Sequence, residues 1–116
     1  MRIAIATDDG ITLRFGHFGD AKFLHIYEKQ GDDFKLVEVR NNPFLDEDDA
    51  HVHNDQRKAQ KILDFLSDCE VFVAHSMGIK SRNYLEKKGI KAITLMKKGL
   101  TIKTALERTL EQLSDR

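Results

Sequence analysis

The sequence predicts a single α/β domain over residues 1–116, built on a five-stranded mixed sheet with three helices. Three observations carry that expectation. Ile3-Ala4-Ile5-Ala6 and Val71-Phe72-Val73-Ala74 are continuous apolar runs, as strands buried on both faces tend to be. Two β-rich, partly polar segments lie between them, joined by the hairpin chemistry of Gly31-Asp32-Asp33. Beyond residue 54 the apolar residues recur at helical spacing, with short strands interspersed. At 41% apolar letters in 116 residues the chain fills one core, whereas two domains would each fall near the size where folding is marginal.

In chain order, residues 2–7 form the first strand, and Phe23–Tyr27 and Phe34–Val39 pair as an antiparallel ribbon. Ala59, Ile62, Leu63 and Leu66 fall at i, i+3, i+4 and i+7, behind an Asn54 N-cap and an acidic Asp55, and make a helix. Residues 70–75 are the fourth strand. A second helix runs from Gly78 to Lys88 with Gly89 as its left-handed stop, followed by the strand Ala92–Leu95. Thr101 caps the last helix, whose buried stripe is Ile102, Ala105, Leu106, Thr109, Leu110 and Leu113. With right-handed crossovers and the two most apolar strands central, the sheet order is 3-2-1-4-5. This order resembles the ribonuclease H-like architecture. It sets loops 8–20 and 75–78 side by side, where an α/β sheet ordinarily offers a ligand crevice.

Nineteen basic and nineteen acidic residues leave no net charge, which argues against nucleic acid and anionic membrane as partners. The single cysteine, Cys69, excludes an internal disulfide, a four-thiolate zinc site and a self-sufficient cysteine-ligated cluster. Its place at the start of a buried strand, opposite the crevice, suits a small hydrophobe. The first apolar stretch stops at Asp8 and Asp9, too short for a signal sequence or membrane span, so a cytoplasmic location is expected.

The candidate chemistry is imidazole. His17 stands between Gly16 and Gly19 in a long first loop, either as part of a glycine-shaped turn with Phe18 in the core or as a ligand with open backbone around it. His75-Ser76-Met77-Gly78 follows a buried strand and opens a helix, so its backbone N–H groups would favour an anion. His51 and His53, spaced to share one face of an extended chain, are further metal candidates. Residues 44–53, acidic and poorly anchored, are expected to be mobile. His25 is expected to face a helix or solvent in a structural role, and Met77 to pack beside the crevice.

Taken together, the stretch Met1–Thr7, His17-Phe18-Gly19 before Ala21–Tyr27, Val39-Arg40-Asn41-Asn42-Pro43, and Val73–Gly78 through Leu85–Ile90 resemble the dinitrogenase iron–molybdenum cofactor-binding family. That family includes NifX-type carriers and the C-terminal domain of NifB-type proteins, and the resemblance covers roughly positions 1 to 112. Its members often have a Gly-rich turn where this chain has His75–Gly78, and a His-Gly pair where it has His51-Val52-His53-Asn54. The resemblance implies a carrier or chaperone, without turnover of its own, for a preassembled iron–molybdenum-type or other metal–sulfur cluster exchanged with donor and acceptor proteins. His17, Phe18, Gly19, His75, Ser76, Met77 and Gly78 would form the binding site, with His17, His75, His51 and His53 as metal ligands. Two other readings are a ligand-free regulatory or interaction domain, and a metal-dependent phosphohydrolase or nuclease built around Asp8.

Overall fold

The computed structural model describes residues 1–45 and 57–114. Strand β1 (Arg2–Thr7) is followed by the hairpin of β2 (Phe23–Gln30) and β3 (Asp33–Asn41). Helix α1 (Arg57–Phe65), β4 (Val71–Ala74), α2 (Ile79–Lys87), β5 (Lys91–Thr94) and α3 (Ile102–Ser114) complete the chain. The sheet order is β3-β2-β1-β4-β5, as the sequence predicts. β1 pairs antiparallel with β2 and parallel with β4, and β4 pairs parallel with β5.

Alternation along the central strands divides the core in two. Ala4, Ala6, Leu24, Ile26, Phe72 and Ala74 point to one face, where Ile62 and Leu66 from the α1 segment and Leu85 of α2 close over them. Ile3, Ile5, Val71, Val73 and Ile93 point to the other, against Ile102, Ala105 and Leu106 of α3. Both faces of β1 and β4 are therefore covered, which is why their sequences are apolar without interruption.

The punctuation is local. Gly31 turns the hairpin at φ 62° and Gly89 ends α2 at φ 88°, conformations an L side chain rarely adopts. Thr101 Oγ1 accepts the Thr104 N–H at 3.1 Å, the N-cap expected for α3. The hairpin strands run further than their apolar letters, to Gln30 at the turn and to Asn41 at the other end of the ladder, because backbone pairing continues through polar residues. No helix among the described residues is long and apolar enough to cross a membrane.

Candidate functional site

The first loop leaves β1 at Thr7 and is shaped by two aspartates. Asp9 accepts the N–H groups of Ile11 and Thr12 at 2.9 and 2.8 Å and the Thr12 hydroxyl at 2.8 Å. These bonds to its charged form hold the Asp9 carboxyl down to about 2. Asp8 accepts the Arg14 guanidinium on one oxygen and the Lys22 N–H on the other. Both carboxylates are thus committed to folding the loop back on itself.

The loop then makes ties to both neighbouring elements. Leu13 N–H donates to Leu100 O and Ile102 N–H to Ile11 O, each at 2.8 Å, which fastens it to the start of α3. On its other side Phe18 N–H donates to Ser76 O at 3.0 Å and Ser76 N–H to Gly16 O at 3.2 Å. A short parallel bridge between His17 and Ser76 results. The two loops singled out by the sequence therefore do meet, at the end of the sheet where β1 and β4 terminate. His17 is level with Ser76, so on alternating backbone it shares a side with the Ser76 side chain, and His75, one residue earlier, falls on the other side.

His17 is exposed and His75 half-buried. The Nδ1 atom of His75 is buried and has no hydrogen-bond partner among the described residues. Phe15, 58% exposed, packs edge-on against the His75 ring at 4.6 Å between centroids, and Lys98 Nζ lies 5.2 Å from the Phe15 centroid. Met96 donates its N–H to His75 O at 3.0 Å while held at φ 54°, a left-handed conformation that costs about 1–2 kcal/mol for a residue with a side chain. Its thioether is exposed. A Cβ built on Gly78 would meet nothing within 4 Å, so the backbone at the start of α2 is open.

Several expected site residues do something else. Phe18 is 3% exposed and stacks on Phe72 at 5.0 Å, so its ring belongs to the core. Gly19 does not clear space for His17: a Cβ there would press on Ile62 and Lys58 of α1 at 3.2 Å. The Ser76 amide does not point at a ligand, because Gly16 O already takes it. Met77 packs against the core cluster on the α1 and α2 face of the sheet. His25, level with Ile5, is buried on the face of the sheet that α3 covers, and it lies under the first loop, with its Cε1 3.3 Å from where a Gly10 Cβ would stand. His51 and His53, with the acidic stretch and the Asn54 cap, lie outside the described residues. Among the described residues no group of three or more His, Cys, Asp or Glu is placed to hold a metal ion. A depression of about 360 Å³ lined by Lys29, Glu70, Lys91 and Leu113 opens at the opposite end of the sheet, away from the histidines.

One positioning residue escaped the sequence reading. Asn42, buried at the end of β3, donates from Nδ2 to Gly19 O and Ala21 O at 2.9 and 2.8 Å, and accepts the Phe44 N–H on Oδ1. It splints the turn that carries His17. The carbonyls it donates to lie more than twenty residues away, and the only hint was its place in the Asn-Asn-Pro run.

A family model described as dinitrogenase iron–molybdenum cofactor matches residues 1–112. No curated protein sequence matches the chain. Among solved structures, that of PH0822 is similar with a TM-score of 0.69 and 22% identity, over 97% of this chain and 90% of the other. MJ0327 from Methanocaldococcus jannaschii, described as a candidate dinitrogenase, gives 0.65 at 15% identity, over 97% and 89%. TM1290 from Thermotoga, described as a candidate NifB protein of the DUF35 family, gives 0.62 at 20% identity, over 95% and 87%.

Proposed function

The chain belongs to the dinitrogenase iron–molybdenum cofactor family, and on that premise we propose that it is a carrier or chaperone, without turnover of its own, for a preassembled anionic metal–sulfur cluster. The observation that carries this reading is the hydrogen-bonded meeting of the His17 and His75 loops at one end of the sheet. A bare ion wants three or four protein ligands, and the described residues assemble no such set. A cluster that brings its own sulfides needs only one or two protein ligands and a few donors. His17 supplies imidazole from one side of the paired loops and His75 from the other, the open backbone at Gly78 and the first turn of α2 supply N–H donors, and Lys98 beside Phe15 supplies positive charge. Ligation this sparse also permits release to an acceptor protein, which a closed cage would resist.

The test is anaerobic titration of the whole chain with isolated iron–molybdenum cofactor and, separately, with a synthetic four-iron cluster, followed by absorption spectra and metal analysis. His17→Ala and His75→Ala should each lower affinity by about 10-fold or more while the circular dichroism stays that of the wild type. Titrations of both variants that overlay the wild type would make the histidines bystanders and sink the reading.

A further inference from the structure

The nine-residue strand β3 forms one edge of the sheet, and nearly all of it is exposed. Leu36, Val37 and Val39 are 44, 40 and 50% exposed, so the edge presents apolar side chains together with a row of backbone groups that no other strand among the described residues pairs. The other edge, β5, has only four residues, and two of those are buried. Long apolar edges invite pairing with another strand, and the sequence of β3 says which.

Its register on β2 sorts the side chains. Asp33, Lys35, Glu38 and Arg40 oppose Gln30, Glu28, Ile26 and Leu24, on the face where Leu24 and Ile26 are buried. Phe34, Leu36 and Val39 oppose Lys29, Tyr27 and His25 on the other face. Val37 is the extra residue of a bulge against Ile26 and Tyr27. Read along the first face, the charges alternate: acid, base, acid, base.

We propose that β3 pairs antiparallel with β3 of a second copy, about a two-fold axis between Leu36 and Val37, to give a continuous ten-stranded sheet. In that register Lys35 opposes Glu38 of the second copy, Asp33 opposes Arg40, Phe34 opposes Val39, and Leu36 opposes Val37. In an unbroken strand such a register would set opposed side chains on opposite faces. The bulge at Val37 shifts the second half of β3 by one residue and brings them back to the same face. Sliding the copies by two residues opposes Asp33 to Glu38 or Lys35 to Arg40, like charges that disfavour both alternatives. Arg40 is already held by Asp68 at 2.6 Å and by Glu38 at 2.9 Å, so the Lys35–Glu38 pair, present twice by symmetry, sets the register by drawing Glu38 partly from Arg40. The axis stands normal to the sheet and reverses the strands of the second copy, so the two sets of histidine loops lie at opposite ends of the joined sheet and away from the new seam.

Sedimentation equilibrium of the whole chain between about 1 μM and about 1 mM should show a reversible dimer. Lys35→Glu places like charges together at both symmetric positions and should weaken the dimer roughly 10-fold, and adding Glu38→Lys should restore it. A monomer across the whole range overturns the proposal, as does a dimer that Lys35→Glu leaves unchanged or a folded double variant that stays monomeric. Because Glu38 also bonds Arg40, hydrogen exchange on the wild type gives a second measurement: the amides of residues 33–41 should exchange more slowly at high concentration. Equal exchange at both ends of the range overturns it.

Discussion

Phe15 meets His75 edge-on, ring centroids 4.6 Å apart and planes at 62°, in a position where most of the Phe15 ring faces water. A large exposed aromatic is anchored here by an imidazole on one side and the Lys98 ammonium on another rather than by the core. The contact limits how His75 can turn, and it places an apolar rim beside this half-buried histidine.

Removing that ring should therefore be felt in binding before it is felt in stability. Phe15→Ala is expected to lower cluster affinity by about 3- to 10-fold, the range an aromatic contact is worth. Its melting temperature should stay close to wild type, because the site is at the surface. Equal affinities for the two proteins would show that Phe15 does not position His75.

Gly16 tests the link between the loops. Its φ of 133° lies where a side chain is strained, and its carbonyl receives the Ser76 N–H. Gly16→Ala should cost about 1–3 kcal/mol, lowering the melting temperature by several degrees, and should speed hydrogen exchange at Ser76. A variant as stable as wild type would mean that the loop has another conformation available at no cost.

Asn42→Ala leaves the carbonyls of Gly19 and Ala21 without their donor in a buried place. The expected loss is about 1–3 kcal/mol by urea unfolding, together with weaker cluster binding through the displaced His17 turn. Unchanged binding in a destabilised variant would separate the splint from the site.

Acid should act in two stages. Burial holds His25 below the ordinary imidazole value, with the Asp9 charge pulling the other way. The unfolded chain then takes up this proton first as the pH falls below about 6.5, so stability declines from there downward. Asp9 has the opposite sense of charge: its contribution is whole above the unfolded value of 3.8 and is lost as the pH falls through its folded value of about 2. Urea midpoints of His25→Leu should flatten the first decline and leave the second. A variant that follows the wild-type curve from pH 7 to 5 would assign the first stage to other groups.

What the sequence could tell followed from how local each signal was. β1 and β4 were legible because burial on both faces leaves an unbroken apolar run, and Gly89 and Thr101 because a helix end needs a particular residue at a particular place. The meeting of loops 8–20 and 75–78 came from topology, since sheet order alone brings the ends of β1 and β4 together. The cover over His25 was not legible because the loop that forms it has no periodicity, and a chain that folds back over its own sheet leaves no pattern in the letters. Phe15, Asn42 and Met96 were missed for a related reason. Their roles are set by partners far along the chain, and in Met96 by a backbone angle that a methionine does not advertise.

The isolation of Cys69 has a consequence for handling sulfur. It is 2% exposed in the core, and burial with the Asp68 charge beside it pushes its thiol up to about 12. The thiolate is the form that attacks, so at neutral pH the folded protein offers almost no sulfur nucleophile of its own. On the proposed reading, a sulfide-bearing guest held between the two loops would meet a host that neither swaps sulfur with it nor forms mixed disulfides with neighbours. The same seclusion turns Cys69 into a built-in clock: a thiol reagent can count it only when the core opens, so the labelling rate reports how often that happens.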